Sequence, residues 1–298
     1  MKATNRYLLR SLMFVPAHNE KLMDSASRSD ADVLLLDVED SVQPLENKQV
    51  ARNNIIRYVK EKKFPQLIFP RINDRESGQL LYDLNQLTID GIHGFMYPKS
   101  YTGQDVYFID KLLDALEYEK KIPVGTFKLI PLIETSGAVL NAQDICRASK
   151  RVIAIAFGCE DFVTDLEGIH DEKGESIFTP RALIALAARA NGVIPIDTVH
   201  INVHDLEDLE RNLIVAKNLG FEGMLVLNPK ELPLVHKYFS PSPEEVNDAV
   251  EMLQLAEEAE KEGKGVAVKG KKFIGPPMVV NAKRIVEKAN LIRLRTEK

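Results

Sequence analysis

The 298-residue chain predicts an α/β fold, a (β/α)8 TIM barrel followed by a C-terminal helix–hairpin–helix extension. Three observations carry this: eight short apolar runs, helix-length segments between them, and no glycine-rich phosphate turn after any run. Residues 1–240 read as the catalytic barrel, and residues 241–298 as an extension packing on the barrel or on a neighbouring subunit.

The runs are SLMFVP (11–16), VLLLDV (33–38), LIFPRI (67–72), GFMYPK (94–99), KLIPLI (128–133), VIAIAF (152–157), VIPIDTV (193–199) and GMLVLN (223–228). Each is short, apolar and rich in β-branched residues, as a buried parallel strand is. Helical periodicity fills 19–29, 46–62, 76–88, 104–120, 136–149, 179–191 and 205–219, each about the length a crossover needs to return to the sheet edge. Another helix follows the last strand. The rival architecture, an open doubly wound sheet, lacks the GxGxxG or GxxxxGK[ST] turn that would hold nucleotide phosphates.

In the tail, SPSPEEVNDAVEMLQLAEEAEKEGKG enters on turn residues and continues as an amphipathic helix. VAVKGKKFIG then reads as a hairpin turning at Gly270, and a last helix starts at Pro276 or Pro277 and runs to about Arg293.

Composition narrows the function. With 39 basic and 44 acidic residues, net charge −5 and no long run of one sign, the chain carries no footprint for nucleic acid or an acidic membrane surface. A small-molecule partner is expected. Cys146 and Cys159 are too few for a disulfide framework and read as buried thiols in a reducing compartment. The apolar stretch LMFV near the start is far shorter than a signal peptide requires, and no segment approaches a membrane span, so a soluble cytoplasmic protein is expected.

Barrel enzymes work at the carboxyl ends of their strands, and here those ends are polar. Strand two ends on Asp37, Glu39 and Asp40; strand three on Arg71, Asn73 and Asp74; strand four on Lys99; strand five on Glu134; strand six on Glu160 and Asp161; strand seven on Asp197. Carboxylates gathered on one face repel unless something positive lies among them, and hard oxygen ligands from two strand ends suit Mg²⁺. Glu134 and Asp161 are therefore the expected metal ligands. Arg71 has the planar fork to grip a substrate carboxylate, which implies an oxo acid or hydroxy acid.

Plainer roles compete. Asp40, Asp74 and Asp165 could cap the helices that follow, and Arg71 could form a structural ion pair with Asp37 or Glu39. Glu134 resists the capping role because Thr135 or Ser136 is the better cap. His200 and His204 lack the HExxH glutamate and read as structural histidines. His18, just past strand one, reads as surface or as lining the mouth.

The motifs RSLMFVPA (10–17), LLLDVEDSV with Lys48 and Ala51-Arg52, PRIN (70–73), PKS (98–100), LIETSGAVLNA (132–142), AFGCEDFVTDL (156–166), IDTV (196–199), LGFEGMLVLNPKEL (219–232), FSPSPEEV (239–246) and KGKKFIGPP (269–277) occur in order over nearly the whole chain. In these the chain resembles the citrate lyase β-subunit-like family of the HpcH/HpaI aldolase superfamily, which includes citryl-, malyl- and citramalyl-coenzyme A lyases. The resemblance implies a closed barrel, a homotrimer or hexamer with a possible place in a lyase complex, and Mg²⁺ on Glu134 and Asp161. It also implies that Arg71 and the backbone around Gly158, Cys159, Glu160 and Asp161 bind the oxo acid. The reaction it implies is reversible Claisen-type cleavage of a 3-hydroxyacyl thioester, carried on coenzyme A or an acyl carrier protein, to an oxo acid and an acetyl-type thioester.

One departure stands out. The family's closing hairpin ends on an acid–base aspartate that reaches a neighbouring subunit's site, and this chain has Gly275 there. Either another group takes its place, with Asp37, Glu39 and His18 the nearest choices, or the reaction differs. The alternatives are a metal-dependent aldolase acting on a free oxo acid and a catalytically impaired oxo-acid-binding paralogue. Lesser departures are Ala17 for a glycine and Met224 for a lysine. Lys269, Lys271 and Lys272 read as a solvated basic turn or as a contact for coenzyme A phosphates.

Overall fold

The computed structural model describes residues 7–169, 174–261, 263, 267–269 and 272–297. The chain divides into a compact unit spanning Leu9–Val235 and a second that includes His236–Lys298. Among the described residues no helix is long and apolar enough to cross a membrane.

The first unit is the expected barrel. Strands β1 (Ser11–Pro16), β2 (Val33–Asp37), β3 (Leu67–Ile68), β4 (Gly94–Tyr97), β5 (Lys128–Ile133), β6 (Ala154–Phe157), β7 (Ile194–Asp197) and β8 (Gly223–Val226) form one sheet in the order β3-β2-β1-β8-β7-β6-β5-β4. All pairings are parallel, and β1 meets β8 at Ser11 and Met224. Every residue of β2, β4, β6, β7 and β8 is buried, as strands walled by side chains on both faces must be.

The ring closes between β3 and β4 through a weaker seam. The amides of Leu67, Phe69 and Arg71 donate to β2-side carbonyls of Asp32, Leu34 and Leu36, so alternate residues 68, 70 and 72 face β4. Pro70 has no amide to give, which is why the regular strand stops at Ile68 rather than reaching 72. Single bridges at Arg71 continue the pairing to Asp37 on one side and Met96 on the other. At the seam's lower end the Ile68 amide donates to the His93 ring at Nδ1, 3.0 Å away, instead of to a strand carbonyl.

The crossovers are α1 (Glu20–Ser27), α2 (Glu46–Lys60), α3 (Leu80–Leu87), α4 (Gly103–Glu119), α5 (Ser136–Leu140), α6 (Ala142–Arg147), α7 (Cys159–Asp165), α8 (Glu175–Asn191) and α9 (Leu206–Leu219). Three differ from the sequence expectation. The helix expected over 76–88 is a 3-10 turn at Arg75–Ser77, broken at left-handed Gly78, and then α3 from Leu80. The helix expected over 136–149 is two helices hinged at Asn141, whose backbone leaves helical geometry. The extra helix α7 begins immediately after Gly158, where the sequence shows only a short acidic stretch. It presents Glu160 and Asp161 in its first turn. After β8 the chain continues into α10 (Leu232–Phe239).

At the amino ends of the strands, acids are matched by buried arginines. Asp32 receives the Arg10 backbone amide and two guanidinium bonds of 2.9 and 2.8 Å. Arg151 gathers Asp110, Asp114 and Glu117. This end is built for stability, in contrast to the carboxyl end.

The second unit has α11 (Pro243–Lys261), an antiparallel pair β9 (Ala267–Lys269) and β10 (Lys272–Ile274), and α12 (Pro276–Thr296). Ala259 and Ile274 form its small core with Met252, Leu255, Met278 and Val279. The turn expected at Gly270, with Lys271, lies outside the described residues. Gly275 caps α12 with φ −94° and ψ 166°, a conformation open to any residue. A Cβ there would meet the ring of Phe273 at 2.9 Å, and that ring is 57% exposed and free to yield.

Candidate active site

Arg71 sits where the seam meets the barrel mouth. Its Nε and Nη2 hold the two oxygens of Asp37 at 2.7 and 2.6 Å, Nη1 lies 3.2 Å from Glu39, and the guanidinium lies over the Phe14 ring. The ion pair with Asp37 is thus present, and the Nη1–Nη2 edge carries the donors not turned toward Asp37.

Asp37, the last residue of β2, also accepts from Ser41 Oγ and the Glu39 amide. Burial works to raise its pKa, but Arg71 and these hydrogen bonds hold it below the ordinary carboxylate range. Glu39 is as deeply buried and less well compensated. Desolvation outweighs Arg71, and with Asp40 and Asp37 adding repulsion its carboxyl is pushed up to about 7. Two neighbouring carboxyls at one strand end therefore differ: one is fixed as an anion, the other is poised to exchange a proton near neutrality.

The loop carrying Glu39 is held by Lys48, whose Nζ donates to Val38 O, Glu39 O and Asn73 Oδ1 at 3.1, 3.0 and 2.6 Å. Asn73 in turn donates twice to Asp83, which pairs with Arg52. Sequence reasoning gave none of Lys48, Arg52 or Asp83 a role in the site. The signal was available: Lys48, Arg52, Ile55 and Val59 share the helical spacing of α2's buried stripe, where two cations need partners.

Glu134 follows β5 and is almost fully buried. Its Oε2 accepts the Lys99 amide at 2.7 Å, and Thr135, as expected, caps α5. Desolvation, above all, pushes its carboxyl up to about 8; the Lys99 amide opposes this, and the Asp161 charge adds to it. A Cβ at Gly158 would lie 2.6 Å from Glu134 Cγ, so the glycine is required for the side chain to sit here. Asp161 is exposed on the first turn of α7.

Two carboxylates, one buried and destabilised as an anion, fit a hard divalent cation that keeps waters and takes substrate oxygens. Among the described residues no group of three or more His, Cys, Asp or Glu side chains is placed to hold a metal, so a closed protein cage is not what this site offers. The expected carboxylate cradle around residues 158–161 is partly engaged already: the Gly158 amide donates to Ile133 O and the Cys159 amide to Thr198 Oγ1. Glu160 is exposed, 3.5 Å from the Cys159 sulfur. Burial pushes the Cys159 thiol up to about 12, too high for a nucleophile.

The other candidates take structural places. Asp74 caps the short turn Arg75–Ser77, and Asp165 accepts from the Ser136 amide. Asp197 is paired with Arg181. His200 is buried beside Asp208, and His204 is exposed. His18 is half-buried, and its Nδ1 finds no hydrogen-bond partner among the described residues.

The family model described as HpcH/HpaI aldolase/citrate lyase matches residues 10–229. The citrate lyase subunit beta of Leuconostoc mesenteroides subsp. cremoris is 31% identical, covering 96% of this chain and 95% of the relative. The L-malyl-CoA/beta-methylmalyl-CoA lyase of Rhodobacter capsulatus is 28% identical, covering 96% of each. Among solved structures, the citrate lyase beta subunit of M. tuberculosis complexed with oxaloacetate and magnesium aligns with a TM-score of 0.65 at 25% identity, covering 80% of this chain and 99% of that one. By its motifs, its barrel and these matches, this chain belongs to the HpcH/HpaI aldolase/citrate lyase family.

Proposed function

We propose that this protein is a Mg²⁺-dependent carbon–carbon lyase that cleaves a 3-hydroxyacyl thioester of the citryl, citramalyl or malyl type into an oxo acid and an acetyl-type thioester. The observation that carries the reading is the meeting, at one barrel end, of buried Glu134, Asp161 in the first turn of α7, and the arginine that Asp37 and Glu39 hold beside them. The magnesium and oxaloacetate bound by the M. tuberculosis relative support it.

Glu134 and Asp161 would hold the metal. When bound, Mg²⁺ supplies Lewis-acid stabilisation to the oxygen that becomes the ketone and a template for the carboxylate beside it. Arg71 grips that carboxylate with its Nη edge while Asp37 fixes the guanidinium plane. Glu39, with its carboxyl near neutrality, takes the hydroxyl proton as the carbon–carbon bond breaks. The bonding pair passes to the thioester enolate, and Glu39 returns the proton to its carbon. Substrate atoms and the proton therefore balance with no further reactant. Glu39 thus fills the role left open by Gly275.

Gly275 itself favours a second reading, an oxo-acid-binding paralogue without turnover, and one experiment separates the two. Purified protein is assayed with citryl-, citramalyl- and malyl-coenzyme A, with and without a chelator. Chelator-sensitive cleavage of one of them is the expected result. Metal-dependent oxaloacetate binding with no cleavage of any would establish the second reading instead.

A further inference from the structure

Four described non-glycine residues have positive φ: Lys62, Lys99, Lys121 and Glu167. Three of them lie two residues past the ends of α2, α4 and α7, where left-handed termination is ordinary. Lys99, with φ 49°, instead follows a strand, β4. A left-handed side-chain-bearing residue in such a place is costly and persists only where its surroundings over-determine it.

Both ends of Lys99 are occupied at the site. Its amide donates to Glu134 Oε2 at 2.7 Å, leaving Oε1 as the oxygen nearer to Gly158 and the start of α7. Its ammonium lies 2.8 Å from Asp74 and 3.6 Å from Glu39. Ser100, buried and bonded through its hydroxyl to Tyr97 O at 3.0 Å, holds the chain beyond, so an extended conformation at 99 could be met only by swinging the 98–99 peptide, and its amide, away from Glu134. A shorter side chain would take the ammonium from between Glu39 and Asp74.

We propose that Lys99 is a positioning residue acting through both ends: its left-handed backbone lets the amide that orients Glu134 for the metal stay in place while the chain turns to the anchored Ser100, and its ammonium ties Glu39 to the loop carrying Asp74. The inference rests on the metal reading of Glu134 given above. It also explains why a lysine stands where glycine would satisfy the backbone alone.

The test compares Lys99→Asn with Lys99→Thr. Both lack the ammonium and are similar in size, but asparagine tolerates the left-handed region and threonine does not. Binding of Mn²⁺ is followed by electron paramagnetic resonance, with thermal unfolding alongside. Lys99→Asn is expected to bind Mn²⁺ within about threefold of the parent, and Lys99→Thr about 10–100-fold more weakly, the range for losing a group that orients a ligand. Should Lys99→Thr fail to fold, Lys99→Ala against Lys99→Gly makes the same comparison. Equal affinities within the pair would overturn the backbone arm. Lys99→Gly, which keeps the amide, is expected to retain metal affinity but lose kcat, with partial recovery in Lys99→Arg; full kcat in Lys99→Gly would overturn the ammonium arm. If the parent itself binds no Mn²⁺, it is the metal reading that fails.

Discussion

Gly158→Ala probes the proposed metal site without replacing a charged group. An ideal Cβ at 158 stands 2.6 Å from Glu134 Cγ and 3.2 Å from Oε1. Carbon atoms rest at about 3.5 Å or more, so the glutamate must withdraw by roughly 0.9 Å. The backbone adds no strain, since φ −100° and ψ 89° at residue 158 are open to alanine. Metal–ligand distances hold to about 0.2 Å, so a retreat several times larger takes the carboxylate out of range. Overpacking should cost the fold about 1–3 kcal/mol, while metal affinity should fall about 10–100-fold. Mn²⁺ titration and urea unfolding measure the two losses separately. Gly137→Ala is the control, because a Cβ there meets nothing within 4 Å. A Gly158→Ala protein that shows the folding loss yet binds Mn²⁺ like the parent would refute the placing of the metal at Glu134.

Further outcomes follow from the same geometry. Glu134→Ala and Asp161→Ala should each abolish Mg²⁺ binding in calorimetry while circular dichroism stays unchanged; parental binding by both would remove the site. Glu134, at about 8, must lose a proton to bind metal, so Mg²⁺ affinity should rise by up to about tenfold per pH unit from near pH 5 and level off near pH 8. Both Glu39 and Glu134 have folded pKa values, about 7 and about 8, above their ordinary 4.5, so the unfolded chain releases these protons first. Metal-free stability should therefore be greatest below about pH 4.5 as far as these two groups act and be lost as pH rises to about 8, with Mg²⁺ restoring it there; melts in chelator that improve from pH 5 to 8 would contradict this. Glu39→Gln should lower kcat about 10²–10⁴-fold, whereas Gly275→Asp should change it little; a rise of about tenfold or more in Gly275→Asp would move the acid–base role away from Glu39. Arg151→Ala takes its cation from buried Glu117, while Asp110 and Asp114 keep Lys111, and should cost about 3–5 kcal/mol in urea unfolding without altering metal affinity, because it acts at the amino end of the barrel.

The strands were legible because each is a closed apolar run, and the strand-end acids because barrel topology tells where the chemistry gathers. What escaped the sequence depends on contacts between distant segments. Pro70 reads as one more residue of LIFPRI until the hydrogen-bond alternation shows that its missing amide faces β4. Helix α7 hides behind Gly158 in a stretch too short for periodicity to register. Asp37 and Glu39, two residues apart, look interchangeable in the sequence; only Arg71's fork, arriving from β3, fixes one as an anion and leaves the other able to titrate. Lys99's left-handed backbone has no sequence signature, since nothing in YPKS demands it.

The incomplete join between β3 and β4 gives the barrel a preferred place to part. Where other neighbouring strands are laced by regular ladders, here a proline and a histidine ring interrupt the lacing, and Arg71 is the next residue along. Widening at this point would loosen the mouth beside the arginine while the remaining staves stay clasped. One imino acid thereby decides which of the eight strand junctions is held least regularly.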